Sequence, residues 1–545
     1  MCCSIPGNQI MNNFAQRKRN ELAQLLNSVF VFYEVKKKLL ITISLVLLGV
    51  LSAALFLWGT APHGIGIRTD SVVYFWSAKN LAKGIGLGTQ DAFGKFKPLN
   101  HFPPLYPILL AAFEVFKIDS IVGARWLGAL FVILLVFLFG LLISRLTNGS
   151  LWFPTIGILV LISMPAFWET NLYAMTEPLY LTYSLAGFIC LDNYSTTSKR
   201  RWLLIAAVLF SASFLTRYIG ISVIVVGLLF LLFQKKSEVR HKLLDSFILG
   251  SISGIPMLIW LVRNRLLTGS ETNRVIYFVP ITTQEWKSTY ESLMTWVEPI
   301  RASIKINLIY LIILLISLLM SYLILRRREG LTEQTQTKLP WLLALYSVIY
   351  MLFVIIARLW ADPTIPLYED RILYPFLISC FILVLYCLHL ILGFIRKRST
   401  HLAVIMTSIL VIFAWSFIRS NSSTTFPYIR PVLRSHIDGL GLQFRTYLAK
   451  DFQQVVAQLP KEDLLFTDNV ESLYFFTQRP SSYIGDLTVK DIEVLQEQLS
   501  KREVVVVFMM GSTESQQSLQ RRISQFQLIF SDENGRSIYL GRPFP

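Results

Sequence analysis

The chain has 545 residues, 54% of them hydrophobic and only 16% charged, with a mean hydropathy of +0.53 and a formal net charge of +17. That hydropathy excludes an ordinary soluble domain and implies a polytopic membrane protein. Nucleic-acid binding is not what the positive charge serves, because the basic residues fall in short clusters between apolar runs, as cytoplasmic loops require, and not on one basic face or tail.

Residues 1–38 read as a cytoplasmic N-terminal segment carrying Arg17, Lys18, Arg19 and Lys36 to Lys38. The apolar run 39–59 that follows is long enough to cross a bilayer, and reads as an uncleaved first span entering from the cytoplasm rather than a signal peptide. A first exoplasmic loop, 60–120, comes next, containing "GIRTDSVVYFWSAKNLAKG" with Asp70, a glycine-rich turn at Gly84 to Gly88, and "HFPPLYP" with His101. Aspartate ahead of a helical pattern is an N-cap candidate as well as a catalytic one. The glycines follow no strand and so do not form a nucleotide-binding loop. The apolar stretch 104–116 is too short to cross and reads as an interfacial helix.

Further spans are expected at 121–145, 152–167, 174–191, 202–216, 218–233, 244–262, 306–325, 340–358, 372–395 and 402–419, making about eleven in all. Basic clusters at Arg145, Lys199 to Arg201, Lys235 to Lys242, Arg326 to Lys338 and Arg396 to Arg398 orient them. The run 202–233 is nearly continuous and has basic clusters at both ends, so the chain must cross twice and turn at "LTRYIG". Each half then spans about 23 Å against ~30 Å of hydrocarbon, which sinks the turn and Arg217 below the surface. An arginine at that depth is a functional candidate. The cysteines, Cys2, Cys3, Cys190, Cys380 and Cys387, precede the first span or lie within expected spans, with neither disulfide nor zinc spacing.

From 421 to 545 the composition changes to a small soluble α/β domain, placed on the exoplasmic side by the span count. It has a helix around 444–459, strands "DLLFTD" and "EVVVVFMM", helices "VESLYFFTQ" and "VKDIEVLQEQLSK", and a closing pair "QLIFSD" and "SIYLG". No phosphate loop or nucleophile elbow is present, which suggests a lid or interaction module.

The same topology brings Asp70, His101, Glu169, Glu177, Arg217, Arg263, Arg265, Arg274 and the "YEDR" residues Glu369 to Arg371 to one membrane face. Carboxylates beside arginines can deprotonate an acceptor and stabilise a departing phosphate. Guanidinium suits the second task because its fork matches phosphate geometry. Each residue also has a plainer role available: first-turn dipole compensation for Glu177, local pairing or snorkelling for Arg371, and snorkelling for Lys117 and Arg125. His63 and His101 lack a metal-ligand spacing.

In order, "TDSVVYFWSAKNLAKG", "HFPPLYP", "MTEPLYL", "LTRYIG", "WLVRNRLLTG" and "DRILYP" resemble the GT-C membrane glycosyltransferases, in particular the group of protein O-mannosyltransferases and lipid A aminoarabinose transferases. The resemblance runs through most of residues 39–395. It implies a polytopic helical fold and inverting transfer of a sugar from a polyprenyl-phosphate donor to a protein, lipid or glycan acceptor at the outer face; no cofactor is expected, a divalent metal being open but without a supporting ligand spacing, and no nucleic-acid partner. It further implies Asp70 as general base and Glu177 as a second acid near the acceptor. His101, Arg217 and Arg371 would lie on the donor side, and Arg263 and Arg265 would make weaker contacts. The family often has two adjacent acids where this chain has Asp70 followed by Ser71, which argues against a paired-carboxylate or metal-bridged mechanism. The reading from another class is a transporter or non-catalytic binder of lipid-linked sugars, although the chain lacks the internal symmetry typical of transporters.

Overall fold

Alternation of long apolar helices dominates the architecture. The structure, a computed structural model, describes residues 36–234, 238–295, 337–361, 366–423, 430–443, 450–460, 462–484, 487–509, 513–532 and 536–542. Helix α1 spans Lys36–Gly59 and exposes Leu40, Leu47 and Val50 while burying Leu45 and Phe56, a one-sided pattern suited to lipid outside and protein inside. The first loop holds α2 (Thr69–Ala82), a hairpin of β1 (Gly88–Gln90) and β2 (Phe96–Pro98), and α3 (Leu105–Val115), the short helix expected at 104–116. There follow α4 (Ser120–Leu146), α5 (Trp152–Ser163), α6 (Pro165–Asn171), α7 (Glu177–Thr197), α8 (Arg200–Thr216), α9 (Ile221–Leu232) and α10 (Val239–Thr268). The remaining membrane helices are Leu339–Ile356, Asp370–Arg398 and Thr400–Ser423. The expected crossing at 306–325 lies outside the described residues.

Among the described residues five helices are long and apolar enough to span a bilayer, or six if α5 and α6 count as one. The helices at 174–191, 202–216 and 218–233 fall outside that set, so an eleven-span count is more than length and composition alone support. The expected straight span 152–167 is instead bent by 70°. Met164, ahead of Pro165, takes an extended conformation with ψ 132°, because the proline ring excludes the helical one. Helix α7 is buried over most of its length, with Leu179, Tyr180, Leu185 and Phe188 in the core of the bundle. Phe210 of α8 sits over Gly187, where a side chain would hold the two helices apart.

Polar contacts sort the helix ends into two groups. At one end Lys37 donates to the Asn148 carbonyl (3.4 Å), Arg145 to Asn193 (2.8 Å), and the Lys338 amide to Asp192 (2.7 Å). At the other, Arg125 donates to the Leu57 carbonyl (2.8 Å) and the Tyr218 hydroxyl to the Asn100 carbonyl (2.7 Å). Arg125 therefore caps the open carbonyls of α1 and does not snorkel. The chain breaks at Arg217 (φ −146°, ψ 138°) and doubles back, as the two-crossing reading of 202–233 expects. Gly220 makes this turn possible, since a Cβ there would stand 2.5 Å from the Phe214 Cα.

Beyond the bundle lie helix Arg430–Asp438 and a five-stranded sheet of order β4-β3-β5-β7-β6. The strands are β3 (Leu464–Thr467), β4 (Ser482–Tyr483), β5 (Val504–Phe508), β6 (Phe526–Ser531) and β7 (Ser537–Gly541). β3 runs parallel to β4 and β5, whereas β7 pairs antiparallel with β5 and β6. The run "VVVVF" is buried on both faces: Val504 and Val506 pack with Leu495 and Leu519, and Val505 and Val507 with Phe452 and Leu473. Helix Val470–Thr477 from this unit rests on α2.

Candidate active site

The residues of "GIRTD" are placed by backbone pairing before any side chain acts. Gly66 accepts the Ala174 amide (2.9 Å) and donates to the Leu172 carbonyl (2.8 Å), holding the chain extended until α2 begins at Thr69. The Ser71 hydroxyl accepts the Arg68 amide (3.1 Å), so serine and not aspartate serves the helix start. Asp70 is the second helical residue, half-buried, and its carboxylate is free to reach across the bundle. It accepts from Arg371 Nη1 at 3.0 Å.

Arg371 opens the long helix Asp370–Arg398, with Glu369 as the residue before it. Its Nε lies 2.8 Å from the Glu369 carboxylate, which also pairs with Arg68. A continuous chain of charge results, Arg68 to Glu369 to Arg371 to Asp70, joining two segments remote in sequence. A cavity of about 260 Å³ lies against the Arg68, Glu369 and Arg371 part of this chain, lined also by Glu169, Thr170, Tyr368 and Asp370.

A second pair lies alongside. Glu177, the first residue of α7, is fully buried and forms an ion pair with Arg217 from the α8–α9 turn. Arg217 also donates to the Thr176 hydroxyl at 3.0 Å. Tyr74, one turn beyond Asp70, is buried close to both pairs. Burial pushes its phenol well above the usual tyrosine range, and the charges of Asp70 and Glu177 push it further, so it stays neutral beside the two pairs.

Asp70, Glu177, Arg217 and Arg371 are thus gathered at one end of the bundle. His101 lies one ring away: its imidazole meets Phe102 edge-on at 4.6 Å, and Phe102 meets Tyr74 at 5.0 Å. Arg263 donates to the Leu99 carbonyl (2.8 Å) and lies over the Trp260 ring, so it buttresses the loop that carries His101. Arg265 stays apart from this group, exposed and 3.3 Å from Glu271. Arg68 and Tyr74 enter the site without having been candidates, and Glu369, expected on this face without a role of its own, joins Arg68 to Arg371. The only trace of Arg68 in sequence is its place two residues before Asp70. Among the described residues no group of three or more His, Cys, Asp or Glu side chains could hold a metal ion.

Comparison with known proteins puts this geometry in context. Residues 76–265 match the model of the dolichyl-phosphate-mannose-protein mannosyltransferase family, a stretch that includes Glu177 and Arg217 and starts after Asp70. No curated protein matches the sequence. ArnT from Cupriavidus metallidurans in the apo state superposes with a TM-score of 0.55 at 12% identity, covering 91% of this chain and 97% of that one. The same protein bound to undecaprenyl phosphate gives 0.53 at 14% identity over the same shares. The archaeal oligosaccharyltransferase AglB from Archaeoglobus fulgidus gives 0.48 at 11% identity, covering 85% of this chain and 69% of that one. Taken with its apolar spans, the likeness to ArnT shows that this chain is a multi-pass integral membrane protein with the GT-C fold.

Proposed function

We propose that the protein is a glycosyltransferase that moves a sugar from a polyprenyl-phosphate-linked donor to an acceptor at the outer face of the membrane, with inversion and with Asp70 as general base. The observation that carries this reading is the Asp70–Arg371 pair beside Glu177–Arg217, at one end of a GT-C bundle. The family match and the undecaprenyl phosphate bound to ArnT support the donor class. Support for the outer face comes from the opposite end of the bundle. Lys36 to Lys38, Arg145, Lys199 to Arg201 and Arg396 to Arg398 all lie at helix ends away from Asp70, where the positive-inside rule puts the cytoplasm.

The chemistry follows from the charges. An acceptor O–H or N–H loses its proton to the Asp70 carboxylate as its lone pair attacks the anomeric carbon. The bond from that carbon to the phosphate oxygen breaks, and the electron pair leaves with the lipid phosphate. One displacement inverts the centre. Arg371 and Arg217 are the guanidiniums placed to receive the departing phosphate. Arg371 is held by Asp70 and Glu369, so an entering phosphate competes for it. As proposed, the reaction uses side chains alone and no cofactor. Glu177 acts by keeping Arg217 charged and oriented, and His101 by lining the donor side.

The test uses the purified full chain in nanodiscs with a panel of radiolabelled polyprenyl-phosphate sugars, following sugar transfer or release of lipid phosphate. Turnover by the wild type that is lost in a folded Asp70→Asn variant is the expected result. Binding without turnover for every donor, or turnover indifferent to Asp70, overturns the reading.

A further inference from the structure

The chain beyond the bundle grips the Asp70 helix in two separate places. The first grip is on its lead-in. His436 stacks on Trp58 at 4.3 Å and its Nδ1 lies 2.9 Å from the Trp58 carbonyl oxygen, while His63 Nε2 lies 3.0 Å from that of Ile437. The Leu442 amide then donates to the Ile67 carbonyl at 2.8 Å. Gly441, at φ +62°, is required here because a Cβ would fall 2.0 Å from that same carbonyl oxygen.

The second grip is on the helix itself. The ring of Tyr474 lies flat on Trp76, with centroids 3.6 Å apart and planes 5° from parallel, and the two residues are only 8% and 2% exposed. Lys79 donates to Gln478 at 3.3 Å, and beyond α2 the Ala92 amide donates to the Ser482 hydroxyl at 3.2 Å. Contacts of Trp76 with Tyr474 and of Lys79 with Gln478 advance together along both chains, so helix Val470–Thr477 runs parallel to α2. Its first turn, with half-buried Glu471, therefore faces the Asp70 end. Burial raises the Glu471 carboxyl, and the charge of Asp70 raises it further, as that placement requires.

We infer that Tyr474 is a positioning residue for Asp70: through its stack on Trp76, the unit beyond the bundle fixes α2 in the place where Asp70 meets Arg371. This rests on the transferase reading above. Trp76 and Asp70 share one rigid helix, about 9 Å apart at 1.5 Å per residue, so a shift at the ring reaches the carboxylate. Misplacement by about 1 Å is enough to cost a reaction about 10²-fold. Tyr474 touches none of the groups proposed to handle donor or acceptor, which separates its role from theirs.

The experiment compares the full chain with its Tyr474→Ala, Tyr474→Leu and Tyr474→Phe variants in nanodiscs. It reads amide hydrogen exchange over residues 69–82, and kcat and KM with undecaprenyl-phosphate mannose counted per molecule that binds this lipid. Expected for Tyr474→Ala is loss of exchange protection over 69–82 and a kcat lower by about 10²-fold with donor KM unchanged. Tyr474→Phe should restore both, because the stack needs the ring and not the hydroxyl. If Tyr474→Ala does not fold, Tyr474→Leu, which keeps apolar bulk without a ring face, takes its place. Unchanged exchange over 69–82, or unchanged kcat in the ring-less variant, overturns the inference. A wild type that turns over no donor defeats the transferase reading instead, and the exchange result then decides the coupling alone.

Discussion

Asp70 faces a guanidinium across the bundle instead of its own helix backbone, and that difference sets what its substitution should do. Asp70→Asn keeps the volume and can still accept from Arg371, so the fold and donor binding should persist while turnover falls by about 10²–10⁴-fold, as for loss of a general base. Arg371 holds Asp70 and Glu369 together, a two-pronged task that lysine's point charge cannot perform. Arg371→Lys and Arg371→Ala should both weaken donor binding more than acceptor binding, read by titration with the lipid phosphate; an unchanged donor affinity would count against its role. Glu177 is different in kind, because it is buried against Arg217. Glu177→Gln leaves that guanidinium unpaired and should destabilise the fold by about 3–5 kcal/mol in thermal or denaturant unfolding, with partial recovery in Glu177→Gln combined with Arg217→Gln. Acids and arginines stand out in an apolar chain, so these four residues are legible in sequence. Arg68 is not, because nothing in its local sequence marks it, and its pairing with Glu369 across 301 residues comes only from the folded bundle.

At the scale of elements, hydrophobic length and proline or glycine punctuation carry most of the information. The break at Arg217 follows from charge clusters on both sides of 202–233, and Gly220 supplies the close backbone approach that the turn needs. Gly220→Ala should therefore cost about 1–3 kcal/mol by crowding Phe214, measurable as a lower unfolding midpoint, whereas Gly254→Ala, with open space around it, should be neutral or stabilising. The bend between α5 and α6 shows the opposite situation. Pro165 is plain in the sequence, but the hydropathy of 152–167 is continuous, and a proline inside an apolar run does not say by what angle the helix will turn. In the sheet, β3, β5, β6 and β7 read as short, largely apolar runs, which is why they are legible. The two-residue strand β4 has no such pattern; its pairing with β3 supplies it.

At the scale of the whole molecule, the sorting of helix ends predicts which residues share a compartment. In a cysteine-free background, Phe93→Cys, exposed in the turn between β1 and β2 of the first loop, should react with a membrane-impermeant thiol reagent added outside. Thr197→Cys, at the Arg145 end, should react only after permeabilisation. The reverse pattern would invert the proposed orientation. By itself the sequence determined that this is a membrane protein, where most of its helices run, and which charged residues are worth watching, because burying apolar length and avoiding buried charge are decided locally along the chain. Only the tertiary structure decided that Asp70 meets Arg371, that Arg68 and Glu369 complete the charge chain, and that the sheet-bearing unit grips α2 through Trp76 and Tyr474. Those contacts join residues hundreds of positions apart, and their geometry follows from how helices pack, which no local pattern encodes.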